Sequence, residues 1–255
     1  MNIAVIASIV VVAAAALSVI GFVVISRKVP ERWLVADADA AGALYATIGM
    51  VYAILIALAA IAVWEPRTDA GQSADREADS LIEASWTADG LAPADRTEIQ
   101  ALIGAYLRDV VDREWASLRD RRAAAPETEA RFTRLRERVS AVNPADEPQR
   151  AAHQQLSAQI ADAASARRAR IAAAAEGMPG PLWPILIIGG LISVMFFYLF
   201  GLERTFPNGL MMAVAGGMIA LLLFVLYQLE YPYSRSLAVG PDSFETAISQ
   251  LKTGR

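Results

Sequence analysis

The charged residues that could carry out catalysis or bind a metal lie mostly in the stretch 65–181 of this chain of 255 residues. Its one histidine, His153, lies in a polar stretch without a second histidine or a cysteine, which favours a solvated side chain over a metal ligand. The chain has no cysteine, which excludes thiolate catalysis, disulfides and sulfur-ligated metals. No phosphate-binding glycine loop or nucleophile elbow is present. We therefore predict no catalytic residues, no cofactor and no metal site.

Small residues at helical spacing form the most distinctive side-chain pattern. In the apolar runs from Gly42 to Trp64 and from Gly209 to Leu229, glycine and alanine recur at steps of three and four. Such stripes let membrane helices approach closely, because association in lipid depends on van der Waals packing. We predict helix packing at these positions, namely Gly42, Ala46, Gly49, Ala53, Ala57, Gly209, Ala213, Gly216 and Ala220.

The stripe in the run from Gly42 to Trp64 has two interpretations. It could pack within a single four-helix subunit, or it could pack against copies of itself around an axis. In the second case Thr47, Met50 and Ile54, which lie on a neighbouring helix face, are the predicted pore lining. A ring of such side chains forms a constriction that gates ions by dewetting, without any charge inside the membrane. The register of that lining stays open at this stage.

Four apolar runs predict four membrane spans. A helix needs about 20 apolar residues to cross a hydrocarbon core of about 30 Å, and each run reaches that length without a charged residue. The glutamates near the span ends, Glu65, Glu203 and Glu230, are interpreted as solvated boundary residues. The predicted spans are Ile3 to Ser26, which is retained rather than cleaved as a signal peptide, Gly42 to Trp64, Leu182 to Leu202 and Gly209 to Leu229.

The polar residues 65–181 predict a helical insertion between two membrane hairpins. They contain sixteen arginines, no lysine and twenty acidic residues in fine alternation, a pattern typical of solvated helix faces and not of nucleic-acid binding. Apolar steps of three and four predict helices that end near Gly90 and that span about 94–122, 127–142 and 147–176. The fold class is therefore all-α and integral to the membrane: a hairpin at 1–64, an extramembrane domain at 65–181, a second hairpin at 182–230 and a C-terminal tail at 231–255.

Several local patterns together resemble the bestrophin-like family of membrane proteins. They lie in the second span, in the helices that follow it and after the fourth span. The matching residues are Gly49, Tyr52, Trp64-Glu65, Glu77-Ala78, Leu81, Tyr106, Glu114-Trp115, Glu230-Tyr231-Pro232-Tyr233, Val239, Pro241 and Phe244.

The resemblance implies a homo-oligomeric, pentameric anion channel with the second span lining the neck and the helical insertion in the cytosol. The chain departs from true bestrophins because its second span lacks their run of phenylalanines and no acidic calcium loop is evident. Asp37 and Asp39 precede the second span, so a cation path is the alternative.

The distribution of basic residues gives conflicting signals about membrane orientation. Arg27, Lys28 and Arg32 favour a cytoplasmic location for the loop between the first two spans, because cytoplasmic loops are enriched in basic residues. Arg204 lies on the same side of the membrane as that loop. Six arginines near the opposite membrane ends favour a cytosolic insertion, namely Arg67, Arg76, Arg167, Arg168, Arg170 and Arg235. With the resemblance added, we predict a multi-pass inner-membrane protein with a cytoplasmic helical domain.

The leading functional hypothesis is an ion channel assembled from copies of this chain, with membrane lipid and inorganic ions as its other partners. The alternative is a non-conducting membrane scaffold or sensor whose helical domain binds a protein. An intramembrane enzyme is disfavoured because the spans contain no Asp, Glu, Lys, Arg or His.

Overall fold

A computed structural model describes residues 2–28, 38–199 and 205–253, and every regular element within them is helical. This confirms the predicted all-α membrane fold. Arg32, Asp37, Glu203 and Arg204 lie outside the described residues, and the side chain of Asp39 is also outside them. The helices are α1 Ile3–Lys28, α2 Ala38–Thr87, α3 Pro93–Asp109, α4 Trp115–Arg121, α5 Pro126–Ser140, α6 Glu147–Ala175, α7 Leu182–Leu199, α8 Phe206–Leu229 and α9 Asp242–Thr253.

Three of the described helices are long and apolar enough to cross a membrane, judged by length and composition: α1, α2 and α8. The apolar part of α7, Leu182–Tyr198, is shorter. Helix α1 continues to Lys28, two residues beyond the predicted span. Helix α8 begins at Phe206, three residues before the predicted start, because Pro207 fits the first helical turn.

Helix α2 is continuous through Pro66, so the second span and the first polar helix are one element. A proline inside a helix removes one backbone hydrogen bond but does not by itself end the helix. The helix ends at Thr87, and a short 3-10 turn, Ala88–Gly90, closes it where the sequence predicts.

The described chain forms two compact units. The membrane unit comprises Met1–Trp64 and Gly177–Glu230, and the helical unit comprises Glu65–Glu176 and Tyr231–Arg255. The residues predicted as a separate C-terminal tail therefore belong to the helical unit. The reason is hydrophobic: Phe244 and Ala247 of α9 are buried in the same core as the stripe of α3.

The apolar stripe of α3 forms the centre of the helical unit. Ile99, Ile103, Tyr106 and Leu107 are fully buried, together with Leu135 of α5 and other core residues. A π-helical turn, Val110–Glu114, follows α3 and leads into α4. Such turns insert one extra residue into a helix and often occur at functional sites.

Glu230 in the membrane unit differs from its predicted role as a solvated boundary residue. Its side chain is 8% exposed, and Trp183 Nε1 donates a hydrogen bond of 2.8 Å to its Oε1. Glu230 is therefore buried and hydrogen-bonded, not solvated. Glu65, in contrast, is exposed as predicted.

Candidate pore face and buried ionic network

Helix α2 packs within the membrane unit through only one face. Tyr52, Ala59 and Val63 on that face are buried in a cluster with residues of α7 and α8. At about 100° per residue, Thr47, Met50 and Ile54 lie within about 40° of the direction opposite Tyr52. Thr47 is exposed, and the exposed fractions of Met50 and Ile54 are 65% and 55%. The candidate pore face is therefore available to lipid or to another copy.

The small residues of α2 also lie largely outside the subunit's own packing. Ala46, Ala53 and Ala57 are exposed, and a Cβ built on Gly42 or Gly49 would meet nothing within 4 Å. Because so many small residues lie on the side of α2 that its own subunit leaves uncovered, packing within one subunit is the less favoured explanation for them. The interpretation that they pack against another copy stays a prediction.

The small residues of α8 lie differently, because α8 packs closely on α1. A Cβ on Gly216 would lie 2.6 Å from the Ser18 Cβ, so only glycine permits this approach. Ala213 and Ala220 are half-buried, whereas a Cβ on Gly209 would meet nothing within 4 Å. The Ser18 hydroxyl donates to the Met212 carbonyl at 2.8 Å, a polar contact that fixes the helix pair.

Tyr52 joins α2 to α7 by inserting its ring beside two glycines. Its hydroxyl donates to the Leu186 carbonyl at 3.0 Å. A Cβ on Gly190 would lie 2.7 Å from the Tyr52 hydroxyl oxygen and 2.9 Å from Ile219 Cγ2. A Cβ on Gly189 would lie 2.8 Å from the Tyr52 Cδ2 of the same ring. The sequence analysis singled out Tyr52 but not Gly189 and Gly190, whose lack of side chains leaves room for its ring.

Replacing Gly190 with alanine is expected to destabilise the membrane unit by about 1–3 kcal/mol, because the added methyl group overpacks the Tyr52 contact. Thermal unfolding in detergent, followed by circular dichroism, measures the effect. Gly209→Ala is the matched control, since its methyl group enters open space and alanine favours a helix. Equal stability of both variants would contradict the packing described for Tyr52.

A buried ionic network occupies the core of the helical unit. Arg170 of α6 is 0% exposed, and its Nε and Nη2 donate to the two carboxylate oxygens of Glu77 at 2.7 and 3.2 Å. Arg170 Nη2 also donates to Glu114 at 2.8 Å. The Tyr106 hydroxyl donates to the Glu77 carboxylate. Helices α2, α3 and α6 and the π-helical turn are therefore linked through paired, hydrogen-bonded charges.

Arg167 completes the network one helical turn away on α6. It binds the Glu114 carboxylate, and its Nη1 donates to the Tyr106 hydroxyl oxygen at 3.2 Å. Its Nη2 donates to Glu129 of α5 at 2.9 Å. With Glu77 and Glu114 facing Arg167 and Arg170, the two buried negative and two buried positive charges balance. Such balance is what makes buried charges tolerable in a protein core.

Aromatic rings enclose the two guanidinium groups. The Arg170 guanidinium lies 5.2 Å from the ring centroids of both Trp115 and Phe244. The Arg167 guanidinium lies 5.8 Å from that of Phe132. Cations at these distances are attracted to the ring faces. The rings also exclude water, which strengthens the ion pairs.

The network shifts the pKa values of its members in directions set by their surroundings. Burial raises the pKa of Tyr106 well above its usual range, and the Glu77 carboxylate raises it further. Burial also raises the pKa of Tyr233, whose hydroxyl lies in the same unit. For Arg170, burial alone would lower the pKa, but the Glu77 and Glu114 carboxylates raise it by more. The arginines therefore keep their charge and the tyrosines keep their protons.

Stability is expected to fall as the pH rises above about 10. Tyr106 and Tyr233 have folded-state pKa values above the unfolded value of about 10, so the unfolded chain releases protons that the native state retains. Each such tyrosine contributes a slope that is about half of 1.4 kcal/mol per pH unit at pH 10 and approaches that value near pH 11. Chemical unfolding between pH 9 and 11 measures the slope. Tyr106→Phe and Tyr233→Phe should each make the loss of stability near pH 11 less steep by about one proton, and an unchanged slope in both would contradict the assignment.

The structure brings together residues from separate parts of the recognised pattern. Glu77, Tyr106, Glu114, Trp115 and Phe244 all meet in or around the ionic network. Sequence reasoning missed Arg167 and Arg170 as their partners. Both are buried on an alanine-rich face of α6, and the sequence showed only their spacing of three among alanines, which does not reveal burial.

No group of three acidic or histidine side chains in the described residues could hold a metal ion. His153 is half-buried, and its Nε2 lies 2.9 Å from the Val139 carbonyl oxygen, so it links α6 to α5. This contact differs from the fully solvated side chain that the sequence predicts.

Comparison with known proteins gives a family and a shared fold. A family model described as the Bestrophin-like domain matches residues 12–244, and no curated protein matches the chain. A crystal structure of a membrane protein with a proline-to-alanine substitution has a TM-score of 0.73 at 12% identity, over 95% of this chain and 97% of that chain. A bacterial bestrophin homologue from Klebsiella pneumoniae with a tyrosine-to-alanine substitution has a TM-score of 0.68 at 12% identity, over 98% and 99%.

Proposed function

Because the chain belongs to the bestrophin-like family, we propose that copies of it assemble into an ion channel whose pore is lined by the membrane part of α2. The observation that carries the proposal is the free face of α2. Tyr52 holds one side of the helix to α7, while Thr47, Met50 and Ile54 on the opposite side are exposed. A ring of copies places that face on the axis.

The two flanks of α2 are complementary in size, which supports a cyclic arrangement of parallel helices. Ala46, Ala53 and Ala60 lie about 100° from Tyr52 on one side, and Leu44, Val51 and Leu58 lie about 100° away on the other. All six side chains are exposed. The small flank of one copy can receive the large flank of the next, which is the head-to-tail contact that generates a closed ring.

The proposed lining is apolar. The Thr47 hydroxyl donates to the Ala43 carbonyl at 3.1 Å, so its hydrogen is engaged within the helix. Met50 and Ile54 expose only hydrophobic atoms. A narrow ring of apolar side chains expels water and blocks ions until the ring widens. This lining is therefore suited to gating the pore and not to selecting which ion passes.

Anion conduction, a pentameric ring, an inner-membrane location and a cytoplasmic helical unit complete the proposal, all by resemblance to bestrophins. Purified protein in liposomes under a potassium chloride gradient tests it. A reversal potential near the chloride equilibrium value is expected. A reversal potential near the potassium equilibrium value would instead indicate a cation channel. The exposed carboxylates Asp75, Asp79 and Glu83 of α2 attract cations and would favour that outcome.

Cross-linking is expected to join the flanks of neighbouring copies. The chain has no cysteine, so introduced cysteines are the only reactive thiols. Ala53→Cys combined with Val51→Cys in one chain should give a ladder of disulfide-linked oligomers under mild oxidation. The matched control is Val12→Cys combined with Val51→Cys, since Val12 is exposed on α1. An equal ladder from the control, or none from the flank pair, would contradict the ring.

The alternative function is a membrane scaffold or sensor whose helical unit binds a protein. Absence of ion flux under every gradient, with the protein folded and oriented in the liposomes, would favour it. A monomer in detergent and in native membranes would also remove the axial pore, because the described apolar spans of one subunit contain no charged side chain to line an aqueous path.

A further inference from the structure

A cleft beside α9 in the helical unit has the properties of a small-molecule site. It has a volume of about 410 Å³ and is lined by residues from the end of α2, from α3 and from α9. That volume falls in the range of pockets that bind metabolite-sized ligands. We refer to it as the α9 cleft. It is separate from the buried ionic network, with which it shares no lining residue.

One wall of the α9 cleft is apolar. Trp86 of α2 is 40% exposed, although it lies in the polar part of the chain. Ile248 and Leu251 of α9 are half-buried and pack against the hydrophobic core from the same side. A flat aromatic or branched apolar group would cover this surface and displace poorly bound water.

The other wall carries cations without partners. Arg108 of α3 and Lys252 of α9 are both exposed, and neither forms an ion pair with a residue of the described ranges. The Arg108 guanidinium lies over Gly104, where a Cβ would be 3.6 Å from its Nη1. Two cations near an apolar wall select an anion, and a guanidinium can bind a carboxylate through two hydrogen bonds.

The acidic group of the cleft is already engaged. Gln100 Nε2 donates to the Asp89 carboxylate at 3.0 Å and to the Ser85 carbonyl at 2.9 Å. One Asp89 oxygen therefore already accepts a hydrogen bond from within the cleft. With two cations, Arg108 and Lys252, against one carboxylate, the formal charge of the cleft lining is positive.

From these observations we propose that the α9 cleft binds a small amphipathic carboxylate, with the anion on Arg108 and Lys252 and the apolar body against Trp86 and Leu251. Because α9 contributes Ile248, Leu251 and Lys252 to the lining, a bound ligand stabilises the docked position of that helix. The cleft thus gives the C-terminal helix a ligand-dependent stability. This proposal does not depend on ion conduction.

The test uses the full chain in lipid nanodiscs with two matched probes, naphthalene-2-carboxylate and its neutral carboxamide. Saturable binding of the carboxylate, measured by calorimetry against empty nanodiscs, is expected with at least about tenfold preference over the carboxamide. Arg108→Gln and Lys252→Gln should each weaken carboxylate binding, while Trp86→Ala should weaken binding of both probes. Hydrogen exchange in residues 242–253 should slow when the carboxylate is bound.

Arg134→Gln, which removes an exposed cation from α5 outside the cleft, is the control and should leave binding unchanged. Equal affinity for the two probes would overturn the proposal, as would uptake that matches empty nanodiscs. It would also fall if the affinity for the carboxylate were the same in the wild type, Arg108→Gln and Lys252→Gln.

Discussion

Replacing Arg170 with methionine is expected to lower the free energy of unfolding of the helical unit by about 3–5 kcal/mol, the cost of leaving a buried charge unpaired. Arg170 donates to Glu77 through two hydrogen bonds and to Glu114 through a third. Without it, two fully buried carboxylates face only Arg167 and the Tyr106 hydroxyl. Chemical unfolding followed by circular dichroism measures the loss.

The neighbouring residue provides the control for this effect. Arg168 lies next to the network on α6 but is exposed, so Arg168→Met should change the free energy of unfolding by no more than about 0.5 kcal/mol. Combining Glu77→Met with Arg170→Met removes a buried charge together with its partner and should recover part of the loss. If Arg170→Met cost no more than Arg168→Met, the network would not be what joins these helices.

The contrast between Arg170 and Arg168 also shows what the sequence could predict in the helical unit. The apolar period of α3 predicts its buried stripe, because hydrophobic spacing alone fixes which face enters the core. The alternation of charges along residues 65–181 predicts solvated helix faces, yet two arginines of α6 are buried. Charge patterning cannot reveal this, since their burial depends on glutamates that lie about 90 and 55 residues earlier and become neighbours only in the fold.

The C-terminal residues illustrate the same limit. Residues 231–255 follow the last span and read as a tail, because a single short helix gives no sign of the surface it packs on. In the structure Phe244 of α9 joins the core of α3, and Trp115 Nε1 donates to the Val239 carbonyl at 3.0 Å. The residues that carry the family resemblance include Trp115, Val239 and Phe244, but residue types in a sequence do not give the distances between side chains.

The membrane unit was more predictable in its elements than in its contacts. The bilayer thickness sets the length that a span needs, and three of the four predicted apolar runs form described helices that are long enough, whereas the apolar part of α7 is shorter. Small residues predict close packing without naming the partner. Gly216 packs on Ser18 within the subunit, whereas Gly42 and Gly49 face open space. The difference comes from the orientation of each helix, which the sequence of one chain does not specify.

Replacing Ile54 with serine is expected to raise ion flux through the assembled protein by about tenfold or more. A hydroxyl hydrates an apolar constriction, and lowering the barrier to ion passage by about 1.4 kcal/mol is sufficient for a tenfold change in rate. Met50→Ser should act in the same direction, because both side chains lie on the free face of α2. Flux from liposomes loaded with a halide-sensitive dye measures the change.

The angular dependence of the effect decides which face of α2 lines the pore. Serine at Thr47, Met50 or Ile54 should change flux, whereas serine at Leu44 or Leu58 on the flank should act mainly on assembly. Val12→Ser on α1 is the control, since it places the same hydroxyl on another exposed apolar face. If Val12→Ser raised flux as much as Ile54→Ser, the hydroxyl would be loosening the membrane unit and not wetting a pore. If the maximum lay at Leu44 and Leu58 instead, α2 would line the path through its large flank, and its Tyr52 side would not mark the direction away from the axis.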